Sequence, residues 1–146
     1  MRAALLPALL LCASPARADE DPASLVAVRL TRPAELERGR AVVLSLAVAP
    51  ASGLRLLEDA PLTVELTGAA LTPVRRTLHR RDAVDPRAEA PRFELEVRAD
   101  RSGAPSLTAR LTAWVCRGAR CRPVELTSPL PLVVADARAP RPRAEP

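Results

Sequence analysis

The chain has 146 residues and a formal net charge of +5, enough for one domain and too short for two ordinary ones. Every basic residue is Arg, and Lys, Ile, Asn, Gln and Tyr are absent, a usage that follows codon bias in a GC-rich genome. The cations are scattered and accompanied by one Trp and one Phe, so the stacking platforms of single-strand binders are missing. This argues against nucleic-acid binding and for charge that serves solubility or acidic partners.

The chain opens with Met1-Arg2, an apolar run from Ala3 to Leu11, and Ala16-Arg17-Ala18. A basic start, a short apolar core and a small-x-small site predict a secretory signal peptide over residues 1–18, cleaved after Ala18. Pro7 interrupts the run, which is shorter than the roughly 20 apolar residues of a membrane span. Leu11 before Cys12 is not the small residue that a lipidation site wants. The expectation is an exported protein, periplasmic or secreted, with Cys12 removed and no integral membrane segment left in the mature chain. Cys116 and Cys121 then face a compartment where disulfides persist.

From Ser24 the pattern is that of strands. Leu25 to Leu30 is apolar and partly β-branched, and Pro33 closes it. Glu35 to Gly39 reads as a polar turn. Ala41 to Val48 is nearly continuous apolar sequence and suits a strand buried on both sides. Leu54 to Leu57 is ambiguous. Leu62-Thr63-Val64-Glu65-Leu66 alternates cleanly, as a half-buried strand does. Ala69 to Pro91 is the least regular stretch. Alternation returns at Phe93 to Arg98, and the turn residues Asp100 to Gly103 follow. Leu107 to Ala113 and Val124 to Val134 are the last strands, and from Asp136 the Ala-Arg-Pro sequence has little to bury. Six to eight short strands without a long amphipathic helix predict an all-β fold, an immunoglobulin-like antiparallel β-sandwich over 19–135, with a disordered tail over 136–146.

The stretch from Trp114 to Pro123 holds both remaining cysteines. Pairing Cys116 with Cys121 leaves Arg117-Gly118-Ala119-Arg120 between them, with Gly118 suited to a positive φ. The same register pairs Ala113 with Val124, Leu111 with Leu126 and Leu107 with Leu130, all on the presumed core face. Both sulfurs then lie on the outer surface with Trp114, Pro123, Arg110 and Glu125. Pro123, Pro129 and Pro131 share the parity of Cys121. Since proline donates no ladder hydrogen bond, residues of this parity should turn their N–H toward an open edge. That makes Cys116 and Cys121 a non-hydrogen-bonded pair with Cα atoms about 4.5 Å apart, within disulfide reach. A bulge near Ser128 would shift the distal pairs alone. Arg117, Arg120 and Arg122 flank the cysteines and would favour a thiolate.

A strand ending in a hydrophobic residue and Cys, a short polar loop, Cys-x-Pro and an apolar last strand resemble the N-terminal immunoglobulin-like domain of the DsbD thiol:disulfide interchange family and small exported bacterial domains like it. The resemblance runs loosely over Ser24 to Val134, anchored at Ala49-Pro50 with Gly53, Ala60-Pro61-Leu62, Val115-Cys116 and Cys121-Arg122-Pro123. It implies a periplasmic domain without a cofactor in which Cys116 and Cys121 pass electrons to other disulfide proteins. A thioredoxin-like or membrane thiol-transfer protein would be the partner. The spacing between the cysteines is one residue shorter than usual in the family. No aromatic loop that would cap the disulfide is found, because Tyr is absent and Phe93 lies in a strand.

Two readings of the cysteine pair stand side by side: thiol–disulfide exchange, with Trp114, Arg117, Arg120 and Arg122 as binding residues, and a structural staple in a non-enzymatic binding domain. Two Cys and a distant His79 do not supply the four ligands of a zinc site. His79 among arginines reads as a solvated residue or as a partner for an activated thiol. The arginines from Arg75 to Arg81 read as a solvated strand edge or an anion site. Neither a nucleophile elbow nor a Gly-rich phosphate loop is present.

Overall fold

A computed structural model describes residues 20–31, 35–100 and 103–134. The expected signal peptide and the tail from Asp136 lie outside the described residues. Eleven strands are formed among them: β1 (Val26–Leu30), β2 (Glu35–Leu36), β3 (Ala41–Pro50), β4 (Arg55–Leu56), β5 (Thr63–Ala69), β6 (Leu71–Pro73), β7 (Thr77–His79), β8 (Arg92–Ala99), β9 (Ser106–Arg117), β10 (Arg120–Leu130) and β11 (Val133–Val134).

They build an antiparallel sandwich. One sheet runs β1-β3-β8-β6 and the other β10-β9-β5-β7, with β4 pairing β9 beyond the end of β5. The strand order follows the ABED and GFC sheets of an immunoglobulin domain, with β7 added on the outer side of β5. The fold is all-β and immunoglobulin-like, as the strand pattern predicts.

The alternation in sequence becomes alternation in burial. In β8, Phe93, Leu95, Val97 and Ala99 are buried while Arg92, Glu94, Glu96 and Arg98 are exposed. In β9, Leu107, Ala109, Leu111, Ala113 and Val115 point inward. Phe93, fully buried, is the largest side chain of a core otherwise made of Leu, Val and Ala. No polar or charged residue is buried among the described residues.

Three expectations are corrected. Ala41 to Val48 is not buried on both sides: Leu44, Leu46 and Val48 face the core, whereas Val43 is 65% exposed. A sandwich strand has one inner face, and the outward positions of β3 are taken by small or β-branched residues that mimic a continuous apolar run. Glu35-Leu36 is not part of a turn but a short strand parallel to β11, with Leu36 buried. The final strand is interrupted rather than continuous: β10 stops at Leu130, Pro131 intervenes, and the chain resumes as β11 beside β2. Proline removes the N–H needed to continue the ladder.

The irregular stretch after β5 is a change of sheet. The chain leaves the second sheet at Ala69, turns through Ala70 at φ 51°, and joins the first sheet as β6. A Cβ on Gly68 would collide with the carbonyl oxygen of Leu71, so the turn needs glycine there. The following loop is held by Arg80, whose guanidinium donates to the carbonyls of Pro86 (2.8 Å), Leu57 (3.4 Å) and Ala88 (3.4 Å).

Candidate functional site

The cysteine ribbon has the register read from the sequence. Cys121 pairs with Cys116, Val124 with Ala113, Leu126 with Leu111 and Leu130 with Leu107, without a bulge at Ser128. The ladder closes one pair further out, at Arg117 and Arg120, so the turn is Gly118-Ala119 alone. Gly118 has φ 59° and Ala119 is not in the positive-φ region, the pattern of a type II′ hairpin with glycine at its first central position.

Cys116 and Cys121 are joined by a disulfide, with Cα atoms 4.0 Å apart. The neighbouring strand shows why the approach is close. The N–H of Leu57 donates to the carbonyl of Trp114 at 2.9 Å, so residues of that parity in β9, Cys116 included, aim their backbone groups at β4. Toward β10 they form the non-hydrogen-bonded pairs, where Cα atoms come closest. Cys121 correspondingly aims its N–H at the outer edge of β10, a strand whose sole sheet neighbour among the described residues is β9. Pro123 and Pro129 share that orientation, which accommodates their missing N–H groups.

The two sulfurs do not share one environment. The expectation of two surface sulfurs is corrected: Cys116 is 0% exposed, and Cys121 is partly exposed. Both lie on the outer face by register, but Cys116 sits in a central strand between Arg55 of β4 and Cys121 of β10. Cys121, in an edge strand, has no strand beyond it among the described residues.

The flanking arginines are arranged differently from the sequence expectation. Arg117, Arg120 and Arg122 have the opposite parity to the cysteines, so they belong to the inner face of the ribbon, where it extends past the core. Arg122 and Arg117 reach Glu20 at 2.8 and 3.5 Å. This carboxylate precedes a 3-10 turn, Pro22–Ser24, capped by the side chain of Asp21. Arg120 is exposed on the same side. The sulfurs' own face carries Arg110, which is engaged by Glu125 and Glu65, and Arg55, which lies directly opposite Cys116 in the β4–β9 ladder. The latter has no signature in the sequence, because a two-residue strand leaves no periodic signal and Arg55 lies 61 positions before Cys116 in the chain.

No family model, curated protein or solved structure matches this chain.

Trp114 is 38% exposed on the sulfurs' face, two residues before Cys116 and paired with Pro123. Further along, Arg110 donates through Nε to Glu125 at 2.7 Å and lies 3.8 Å from Glu65. The hydrogen bond and charge of Glu125, then the charge of Glu65, raise the Arg110 pKa above the ordinary guanidinium value. His79 lies at the opposite edge of this sheet, with Nδ1 3.5 Å from the Thr63 hydroxyl and its backbone N–H donating to the Asp82 carboxylate at 2.8 Å. In register it aligns with Thr63 and Thr112. That is two strands across and four residues along from Cys116, about 16 Å by ordinary sheet spacings. The fold does not bring His79 to the thiols. The arginines between Arg75 and Arg81 bracket the edge strand β7, and Arg75 pairs with Asp82 at 3.3 Å. Among the described residues no group of three or more His, Cys, Asp or Glu could hold a metal ion, and no helix is long and apolar enough to cross a membrane.

Proposed function

We propose that this chain is an exported immunoglobulin-like domain whose Cys116–Cys121 disulfide exchanges with the dithiol of a partner, and that Cys121 is the sulfur attacked. The partner class is a thioredoxin-like or membrane thiol-transfer protein, as the resemblance of the cysteine hairpin to the DsbD domain implies. The observation that carries this reading is the asymmetry of the pair. Cys121 is partly exposed on an edge strand, while Cys116 is fully buried beside it. Exchange needs one sulfur that a thiolate can approach in line with the S–S bond and a second that departs and can return.

The step balances as follows. A partner thiolate attacks Sγ of Cys121, the Cys121–Cys116 bond breaks, and Cys116 leaves with the electron pair as a thiolate. The partner's second thiol loses its proton to solvent and attacks its own sulfur in the mixed disulfide, releasing Cys121. The partner dithiol is oxidised by two electrons, and the two thiolates left on the domain take up protons from solvent to give the reduced dithiol.

Mapping the mixed disulfide tests this assignment. Oxidised protein treated with limiting glutathione, quenched in acid and digested, is expected to carry glutathione on Cys121. An adduct on Cys116, or no adduct at any glutathione concentration, contradicts it. Cleavage after Ala18 is expected to give a mature chain that starts at Asp19, which N-terminal sequencing of the exported protein checks.

A second reading is a structural staple in a binding domain. The complete burial of Cys116 favours it, since a sulfur covered on all sides exchanges less readily. The two readings predict different reduction potentials.

A further inference from the structure

We infer that Arg55 is the positioning residue that stabilises the departing Cys116 thiolate, an inference that rests on the exchange reading above. A buried thiolate is costly, because loss of water raises the thiol pKa and makes a poorer leaving group. Exchange through Cys121 releases just such a thiolate, so a cation on the same face would be needed. The sequence offers Arg117, Arg120 and Arg122, but all three belong to the opposite face of the ribbon, and two of them engage Glu20. Arg55 has the required placement. It is paired with Cys116 in the β4–β9 ladder, and directly opposed residues on one face of a sheet have Cβ atoms about 5 Å apart. The hydrogen bond from Leu57 N–H to Trp114 O fixes β4 in this register. Arg55 is exposed, and no carboxylate pairs with it among the described residues. Its guanidinium is thus available to turn toward a charge that appears at Cys116 Sγ.

The test compares full-length exported protein carrying Arg55→Gln, Arg55→Lys or Arg117→Gln with the wild type. Two quantities are read: the thiol–disulfide equilibrium against glutathione, and the titration of thiolate absorbance in the reduced protein. Arg55→Gln is expected to favour the disulfide by about threefold, or about 14 mV in potential, and to move the titration of the Cys116 thiol, read in a Cys121→Ser background, to higher pH. Arg55→Lys restores most of both, and Arg117→Gln changes neither by half as much. Equal shifts in Arg55→Gln and Arg117→Gln, or none in either, overturn the role of Arg55. A normal Arg55 shift in a protein whose potential lies in the structural range overturns the exchange reading and leaves the electrostatic role of Arg55 standing.

Discussion

Arg55 is the cross-strand neighbour of Cys116, although the two lie 61 positions apart in the chain. This relationship gives the cysteine hairpin three strands of context. β10 presents Cys121 at an edge, β9 buries Cys116, and β4 lays an arginine beside it. The disulfide joins the middle strand to the edge strand, so its reduction alters the environment of one open and one covered sulfur.

Removing the disulfide should cost stability without abolishing the fold. A closed loop of about six residues contributes about 2 kcal/mol by unfolded-state constraint, and the core lies on the opposite face of the ribbon. Cys116→Ala with Cys121→Ala is expected to lose about 2 kcal/mol in urea unfolding. Cys116→Ser with Cys121→Ser should lose about 1 kcal/mol more, because a hydroxyl at position 116 is buried. Equal losses in both variants would contradict the burial of Cys116.

Two glycines should respond differently to alanine. At Gly68 a Cβ meets the Leu71 carbonyl, which is backbone and cannot step aside. Gly68→Ala should cost about 3 kcal/mol or more, by overpacking at a fixed corner. At Gly118 the space is open and only the φ of 59° is unfavourable to a side chain, for about 1 kcal/mol. Thermal unfolding of the two variants tests the ranking, and a larger loss at Gly118 would contradict it.

The Arg80 guanidinium ties together three loop carbonyls. Arg80→Ala leaves them without that donor and is expected to cost about 1–3 kcal/mol. Hydrogen exchange should rise first between Asp82 and Ala90. Unchanged protection there would contradict the anchoring role.

The Arg110 cluster should be insensitive to alkaline pH across the ordinary range. Its pKa is raised by Glu125 and Glu65, so its contribution is complete below the ordinary guanidinium pKa. It is lost only as pH rises through the still higher folded value. The destabilisation caused by Arg110→Gln is therefore expected to be the same at about pH 7 and pH 10. It should shrink in about 1 M salt, because these groups are exposed and screened. A pH-dependent difference within that range would show that another group titrates with the cluster.

The sequence makes the ribbon legible to the residue. Leu107, Leu111, Ala113, Val124, Leu126 and Leu130 demand one face, the prolines choose the edge, and the two constraints yield a single register. The sandwich is legible for the same reason, since the period-two pattern of Phe93 to Arg98 and Leu62 to Leu66 is a direct imprint of one buried face. Burial across a neighbouring strand is not. Parity places both cysteines on the outer face, but that Cys116 is flanked by a strand on each side depends on which strand lies beside β9. That strand, β4, is two residues long and sits in the ambiguous stretch Leu54 to Leu57. Glu20 is hidden in the same way: its pairing with Arg117 and Arg122 crosses the whole domain. Contacts of that kind are set by topology, and a single sequence carries no local signal for them.

The reduction potential of the domain, measured by thiol alkylation and mass spectrometry across a glutathione series, tests the central claim most directly. Exchange through Cys121 predicts a value near about −200 mV, in the range of exchange proteins. A value below about −300 mV would mark the Cys116–Cys121 bond as a structural bridge and contradict the exchange function.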